Sequence, residues 1–210
     1  TGKAFTAKPL DACLRDGASA FGWEGRPSAA RSMREGNERI GWGMAVGVWD
    51  AFAFFHSARV ILTADGRVEV LSAVSDIGTG TRTIMGQIAA QAFGIGMEEV
   101  TVSLGDSALP FAPMEGGSWT AASVSAAVQA ASLSVKKALF RLARKTAGSP
   151  LAGAAFDDIE VRAGRIGLAA DPARGLAVAE VLKAARLTRL EERSTFVPNL
   201  LQMFKYVSHS

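Results

Sequence analysis

Ala58-Arg59-Val60-Ile61-Leu62-Thr63, then Asp65-Gly66, then Arg67-Val68-Glu69-Val70-Leu71, is the stretch that decides the fold, together with the loop Asp76-Ile77-Gly78-Thr79-Gly80-Thr81 that follows it. β-branched residues alternate on both sides of an Asp-Gly pair. That is the sequence of two antiparallel strands joined by a tight turn. After the glycine-threonine loop the period changes. Ile84, Met85, Ile88, Ala89, Ala92 and Phe93 recur at helical spacing, and Gly94 marks the end of that helix. Val100 to Leu104 reads as a further strand.

Working outward, Gly105-Asp106-Ser107 is a turn, with Asp106 as its former. A proline- and glycine-rich loop from Leu109 to Gly117 leads into a long helix expected over 118–146. One side of it carries Val124, Val128, Ala131, Val135, Ala138 and Leu142. Its first half is mostly alanine and serine, so another backbone or a ligand can approach closely. Short strands follow at Ile159–Val161 and Arg165–Gly167, then a helix over Val178–Ala185 and an irregular end. Upstream, Leu10, Cys13, Leu14, Ala18 and Phe21 mark a short helix from Pro9, with Cys13 expected in its core face. Gly41 to Trp49 is apolar and glycine-studded and reads as a buried strand. Trp42, Trp49 and Trp119 are expected in the core, Trp119 also shaping the loop that holds it.

The expected class is α+β: a mixed sheet with hairpins, packed against two main helices. Three segments are expected: a helix and basic linker (1–39), a central core (40–147) and a small α+β extension (148–210).

Composition narrows the function. The chain has 210 residues, 49% of them hydrophobic, with a net charge of +3. That length suffices to bury about 70% of the unfolded surface. The basic residues are scattered, and the modest cluster Arg31, Arg34, Arg39 lacks interleaved aromatics, which argues against a nucleic-acid surface. No apolar run approaches the roughly 20 residues needed to span a bilayer. Cys13 is the single cysteine, so disulfides and iron–sulfur ligation within the chain are excluded. A reducing compartment is expected, the cytoplasm ahead of the periplasm. The Thr1-Gly2-Lys3 start and the Phe204-to-Ser210 ending suggest a piece of a longer protein.

Two loops of one type, 76–83 and 116–125, each open a helix. The first amides of a helix are unpaired and partly positive, and glycine lets a guest come close. Each loop taken alone is equally well a plain turn, with Thr81 or Ser118 as the N-cap. Neither fits the Walker or the dinucleotide fingerprint. His56 lacks a partner for acid–base work and is expected at the surface, on a loop before the strand. Arg31, Arg34 and Arg39 read as a solvated linker, and His209 as part of a continuing strand.

The order Gly41-Trp42-Gly43-Met44-Ala45, the Asp65-Gly66 hairpin, Asp76-to-Thr81, Gln87-Ile88-Ala89-Ala90, Gly105-Asp106 and Gly116-Gly117-Ser118-Trp119-Thr120-Ala121-Ala122-Ser123-Val124-Ser125 resembles the molybdopterin-binding part of the xanthine dehydrogenase/aldehyde oxidase family. The resemblance implies that Gly78, Thr79, Gly80 and Thr81, with Arg82 and Gln87 nearby, contact the pterin and its nucleotide tail. It places Ala122, Ser123, Val124 and Ser125, preceded by Gly117 and Ser118, beside the pterin dithiolene and its molybdenum. Many relatives have Gly-Gln-Gly where this chain has Gly78-Thr79-Gly80, which removes one polar amide near the metal. The resemblance implies the cytosine dinucleotide form of the cofactor, with the metal held by the pterin sulfurs rather than by protein ligands.

The family's catalytic glutamate belongs to a downstream Gly-Glu motif that this sequence lacks, and Glu115 is not its equivalent. The chain alone is therefore expected to hold cofactor but not to turn over. The intact enzyme would oxidise aldehydes or N-heterocycles with water as oxygen source. Its partners would be the rest of the subunit, iron–sulfur and FAD modules and a small-molecule substrate. Two rivals stay open: a non-catalytic nucleotide- or phosphate-binding module, and an interaction domain whose glycines serve turns only.

Overall fold

The computed structural model describes residues 9–46 and 52–199, and these fall into two units on either side of residue 50. The expectations for Trp49, the 204–210 ending and His209 lie outside the described residues.

The first unit holds helix α1 (Leu10–Phe21), closed by Gly22 in the left-handed conformation. A two-residue hairpin follows, β1 (Arg34–Glu35) with β2 (Glu38–Arg39). No residue of α1 is buried, and Cys13 is exposed. The periodicity in α1 was real, but its apolar stripe is only partly covered, Phe21 meeting Trp23 and Trp42, and Cys13 stays exposed rather than in a core. Residues 41–46 form no strand and are largely exposed, contrary to the buried strand expected. With no neighbouring strand among the described residues, the backbone of 41–46 has no ladder to satisfy it and stays in water. Trp42 is half-buried, edge-on to Phe21 at 5.0 Å, rather than in a core. Arg31, Arg34 and Arg39 are exposed, as a solvated linker requires.

In the second unit the decisive hairpin forms as read: β3 (His56–Thr63) and β4 (Val68–Ser72) pair antiparallel, with Gly66 at φ +85° in the turn. Next come α2 (Thr81–Phe93), β5 (Val100–Leu104) and α3 (Thr120–Lys145). β6 (Ile159–Arg162), β7 (Arg165–Leu168), β8 (Asp171–Ala177), α4 (Val178–Ala184) and β9 (Arg189–Phe196) complete the unit. The main sheet runs β5-β4-β3-β9, with β4 and β5 parallel across the α2 crossover. β6-β7-β8 make a small antiparallel meander. β8 was not expected from the sequence, and β9 falls in the end read as irregular. β9 is full of charge, Glu191, Glu192 and Arg193, because it is an edge strand with one face in water.

Ala58, Val60, Leu62, Val68 and Val70 meet Met85, Ala89 and Phe93 of α2 and the α3 row Val124, Val128, Ala131, Val135 and Leu139 in one buried cluster. Those strand residues share one parity and so one face of the sheet. α2 and α3 lie together on it. Lys136 of α3 donates to the Ala92 carbonyl (3.1 Å), near the C-terminal end of α2. Burial pulls the Lys136 ammonium below the usual lysine value, while the Glu160 carboxylate opposes that. The two sheets touch at their turns, where a Cβ on Gly66 would lie 3.0 Å from the Gly164 Cα.

His56 is the first residue of β3 and 1% exposed, not a surface loop residue. It has the parity of Ala58 and Val60, so the strand carries its ring inward. Ser72 donates its hydroxyl to the Ser57 carbonyl (2.9 Å), so the 3.1 Å contact between His56 Nε2 and Ser72 Oγ has the ring as donor. Nδ1 is left without a partner among the described residues. Burial pushes the imidazole down to about 4. Among the described residues no helix is long and apolar enough to cross a membrane.

Candidate functional site

The first loop leaves β4 and is laced to the segment after β5: Ala73 donates to the Pro110 carbonyl (2.8 Å) and Gly105 to that of Val74 (2.9 Å). Asp106 shapes that segment by accepting from Ala108 (2.8 Å), as a turn former does. Asp76 then folds the loop around its own carboxylate. One oxygen accepts from the Gly78 and Gly80 amides (3.0 and 3.2 Å), and the other from Arg82 (3.1 Å). These bonds, that from Arg82 first, hold the Asp76 carboxyl below the usual carboxylate range. Thr81 is not the N-cap: Gly80 occupies that position, and Thr81 is buried inside the first turn. Gly78 and Gly80 sit at φ +97° and +82°, and a Cβ on either would meet nothing within 4 Å. Glycine is needed there for backbone conformation, and it leaves open space above the loop. Thr79 and Gly78 are exposed, and Arg82 reaches sideways to the Val102 carbonyl.

The second loop turns through Gly117 (φ +47°) and Ser118 (φ +60°) before α3 begins. Trp119, not Ser118, is the N-cap residue, and no side chain caps the helix. Ser118 lies one residue before the cap position, in the left-handed conformation, and its side chain is exposed. The Trp119 indole donates to the Met114 carbonyl (2.8 Å) and lies edge-on to Phe54 at 4.8 Å. The ring also covers Gly117, where a Cβ would come within 2.3 Å of it. Ser123 is fully buried: its hydroxyl donates to the Trp119 carbonyl (2.6 Å) and accepts from the Phe54 amide (2.8 Å). Val124 is in the core. Ala122 is exposed and Ser125 half-exposed.

Glu115 joins the loops. It accepts from the Ser75 amide (3.1 Å) on one side and from the Thr120 hydroxyl (2.7 Å) on the other. The starts of α2 and α3 are thereby held at one end of the sheet. The expected site residues divide accordingly. Gly78, Thr79, Gly80, Gly117, Ser118, Ala122 and Ser125 border accessible surface, whereas the side chains of Thr81, Ser123 and Val124 point inward. Sequence reasoning gave Asp76 and Glu115 no role. Asp76 could have been found from its place ahead of two glycines and a helix, the position of an Asx-type cap. Glu115 has no local signal, since both its partners are set by tertiary structure.

This arrangement has known counterparts. Residues 16–208 match the family described as "Molybdopterin cofactor-binding domain". Over 135 residues the chain is 37% identical to the aldehyde oxidoreductase molybdenum-binding subunit PaoC of Escherichia coli K12, covering 64% of this chain and 18% of that protein. Over 107 residues it is 31% identical to the putative xanthine dehydrogenase molybdenum-binding subunit XdhA of the same organism, covering 49% and 14%. Among solved structures, quinoline 2-oxidoreductase from Pseudomonas putida 86 superposes with a TM-score of 0.59 at 27% identity, over 69% of this chain and 19% of that one. CO dehydrogenase from Oligotropha carboxidovorans shares the fold at 0.54 and 20% identity, over 70% and 18%. The chain thus spans about a fifth of the length of these relatives or less. With nearly its whole length matched and both helix-opening loops inside the match, the chain belongs to the molybdopterin cofactor-binding domain family.

Proposed function

We propose that the loops opening α2 and α3 form one wall of the pterin cofactor site, in its cytosine dinucleotide form. The observation that carries the reading is their convergence at one end of the sheet, tied through Glu115. The residues suit such a guest. Gly78, Thr79 and Gly80 offer an exposed backbone with open space above it, and Gly117, Ser118, Ala122 and Ser125 border the facing loop. Both helix starts lie beside a carboxylate: Asp76 accepts from the Gly78, Gly80 and Arg82 amides at α2, and Glu115 from the Thr120 hydroxyl at α3, so both loops suit neutral, hydrogen-bonding parts of a ligand. Thr81, Ser123 and Val124 act from behind, fixing the loops they belong to.

When bound, the cofactor would supply a molybdenum centre that accepts electrons from a substrate. This chain's residues would bind and orient it. The intact protein, on this reading, oxidises an aldehyde or an N-heterocycle, using a general base from elsewhere in the subunit and passing electrons to iron–sulfur and flavin partners. The decisive substitution is Ala122→Glu in the full-length protein. The site is exposed and helical, so folding should survive, while the added bulk and charge alter the surface that the second loop presents to a guest. Molybdenum and released cytidine nucleotide should fall to a small fraction of wild type at an unchanged melting temperature. Full occupancy in the variant would overturn the assignment.

A further inference from the structure

We propose that Glu115 is a positioning residue that sets the spacing of the two loops, so that they act as one preformed cradle; this rests on the cofactor reading above. Its half-buried carboxylate bridges them, accepting from the Ser75 amide at 3.1 Å and from the Thr120 hydroxyl at 2.7 Å. Ser75 immediately precedes Asp76, whose own carboxylate orders Gly78, Gly80 and Arg82. Thr120 is the first residue of α3, directly after the Trp119 that covers Gly117. A displacement at Ser75 is therefore passed to the glycines of the first loop, and one at Thr120 to those of the second. The glycine turns are freely deformable, and the backbone bonds from Ala73 to Pro110 and from Gly105 to Val74 lie further back, so without Glu115 the separation of the turns themselves would be set only at a distance.

The chemistry asks for a carboxylate. Two oxygens that only accept can serve an amide and a hydroxyl at once, and bonds to a charged acceptor are short and directional. No ion pair involves Glu115 among the described residues, so these two bonds are what its charge is directed to. Glutamine keeps one accepting oxygen for Ser75 but turns a donor toward Thr120. Alanine removes both links.

The test uses the full-length protein that carries this chain, in wild type, Glu115→Ala, Glu115→Gln and Thr120→Val forms. Two quantities are read: hydrogen exchange of the Ser75–Thr83 amides against those of β3 and β4, and the rate at which molybdenum and pterin are lost after dilution. Loss of a bond to a charged acceptor corresponds to about tenfold or more in each. Glu115→Ala should speed both by that factor with β3 and β4 unaffected, and Glu115→Gln should restore most of the protection at Ser75. Adding Thr120→Val to Glu115→Ala should change the release rate no further. Unchanged loop exchange in Glu115→Ala, or fully additive effects of the two substitutions, overturns the proposal. A wild-type protein that holds no pterin overturns the cofactor reading instead, and the exchange measurement still decides whether Glu115 couples the loops.

Discussion

His56 makes the fold measurably acid-sensitive. The unfolded chain carries a histidine that titrates near 6.5, while in the fold burial brings it to about 4. Between those values the unfolded state binds a proton that the folded state refuses, so stability is complete above about pH 6.5 and is lost as pH falls toward 4. At about 1.4 kcal/mol per pH unit, that interval amounts to about 3 kcal/mol. The physical source is visible: a 1% exposed ring whose Nε2–H donates to Ser72 and whose Nδ1, once protonated, would find no acceptor for its N–H among the described residues. Carboxylates also titrate in this range, so the comparison is with His56→Gln, which keeps an N–H for Ser72 but cannot be protonated. Urea unfolding of both proteins at several pH values from about 7.5 down to about 4.2 should show the wild type losing about 3 kcal/mol relative to the variant. A difference that stays flat with pH, or an imidazole resonance titrating at about 6 or higher, would refute the burial argument.

Gly117→Ala should loosen the second loop. The new Cβ would lie 2.3 Å from the Trp119 ring at a φ of +47°, and left-handed backbone alone costs about 1–2 kcal/mol for a non-glycine residue. Tryptophan fluorescence should report the displaced ring and cofactor content should drop; an unchanged emission spectrum with full occupancy would count against the packing described. Leu139→Ala opens a cavity in the α3 face, where the side chain is fully buried. It should cost about 2–5 kcal/mol in denaturant unfolding without moving the loops, and a loss below about 1 kcal/mol would mean that α3 does not pack on the sheet as described.

Where the sequence could be read, it was read from local physics. The Asp65-Gly66 hairpin, the 3.6-residue rows of α2 and α3 and the Gly94 stop each depend on neighbours a few residues away, and all appear in the fold. Glycine spacing likewise marked both loops, since φ beyond +40° at Gly78, Gly80 and Gly117 is a property of the residue type. Misreadings fell where long-range packing decides. His56 looked like a lone polar residue on a loop, and only the pairing of β3 with β4, which brings Ser72 to its ring, makes it a buried strand residue. Charged β9 looked irregular because an edge strand needs no apolar alternation on its wet face. Cys13 and residues 41–46 looked buried because apolar pattern shows what could be covered, not whether a partner is there to cover it.

The sequence by itself determined the local elements, the two glycine turns and, through their order, the family. Tertiary structure alone decided that Asp76 closes the amides of α2, and that Glu115 reaches across forty residues of chain to Ser75 while it also holds Thr120. The reason lies in range. Backbone dihedrals and helical periods are set by the residues next door, whereas the partner of a carboxylate is chosen by whichever donors the packed sheet and helices bring within three ångströms of it.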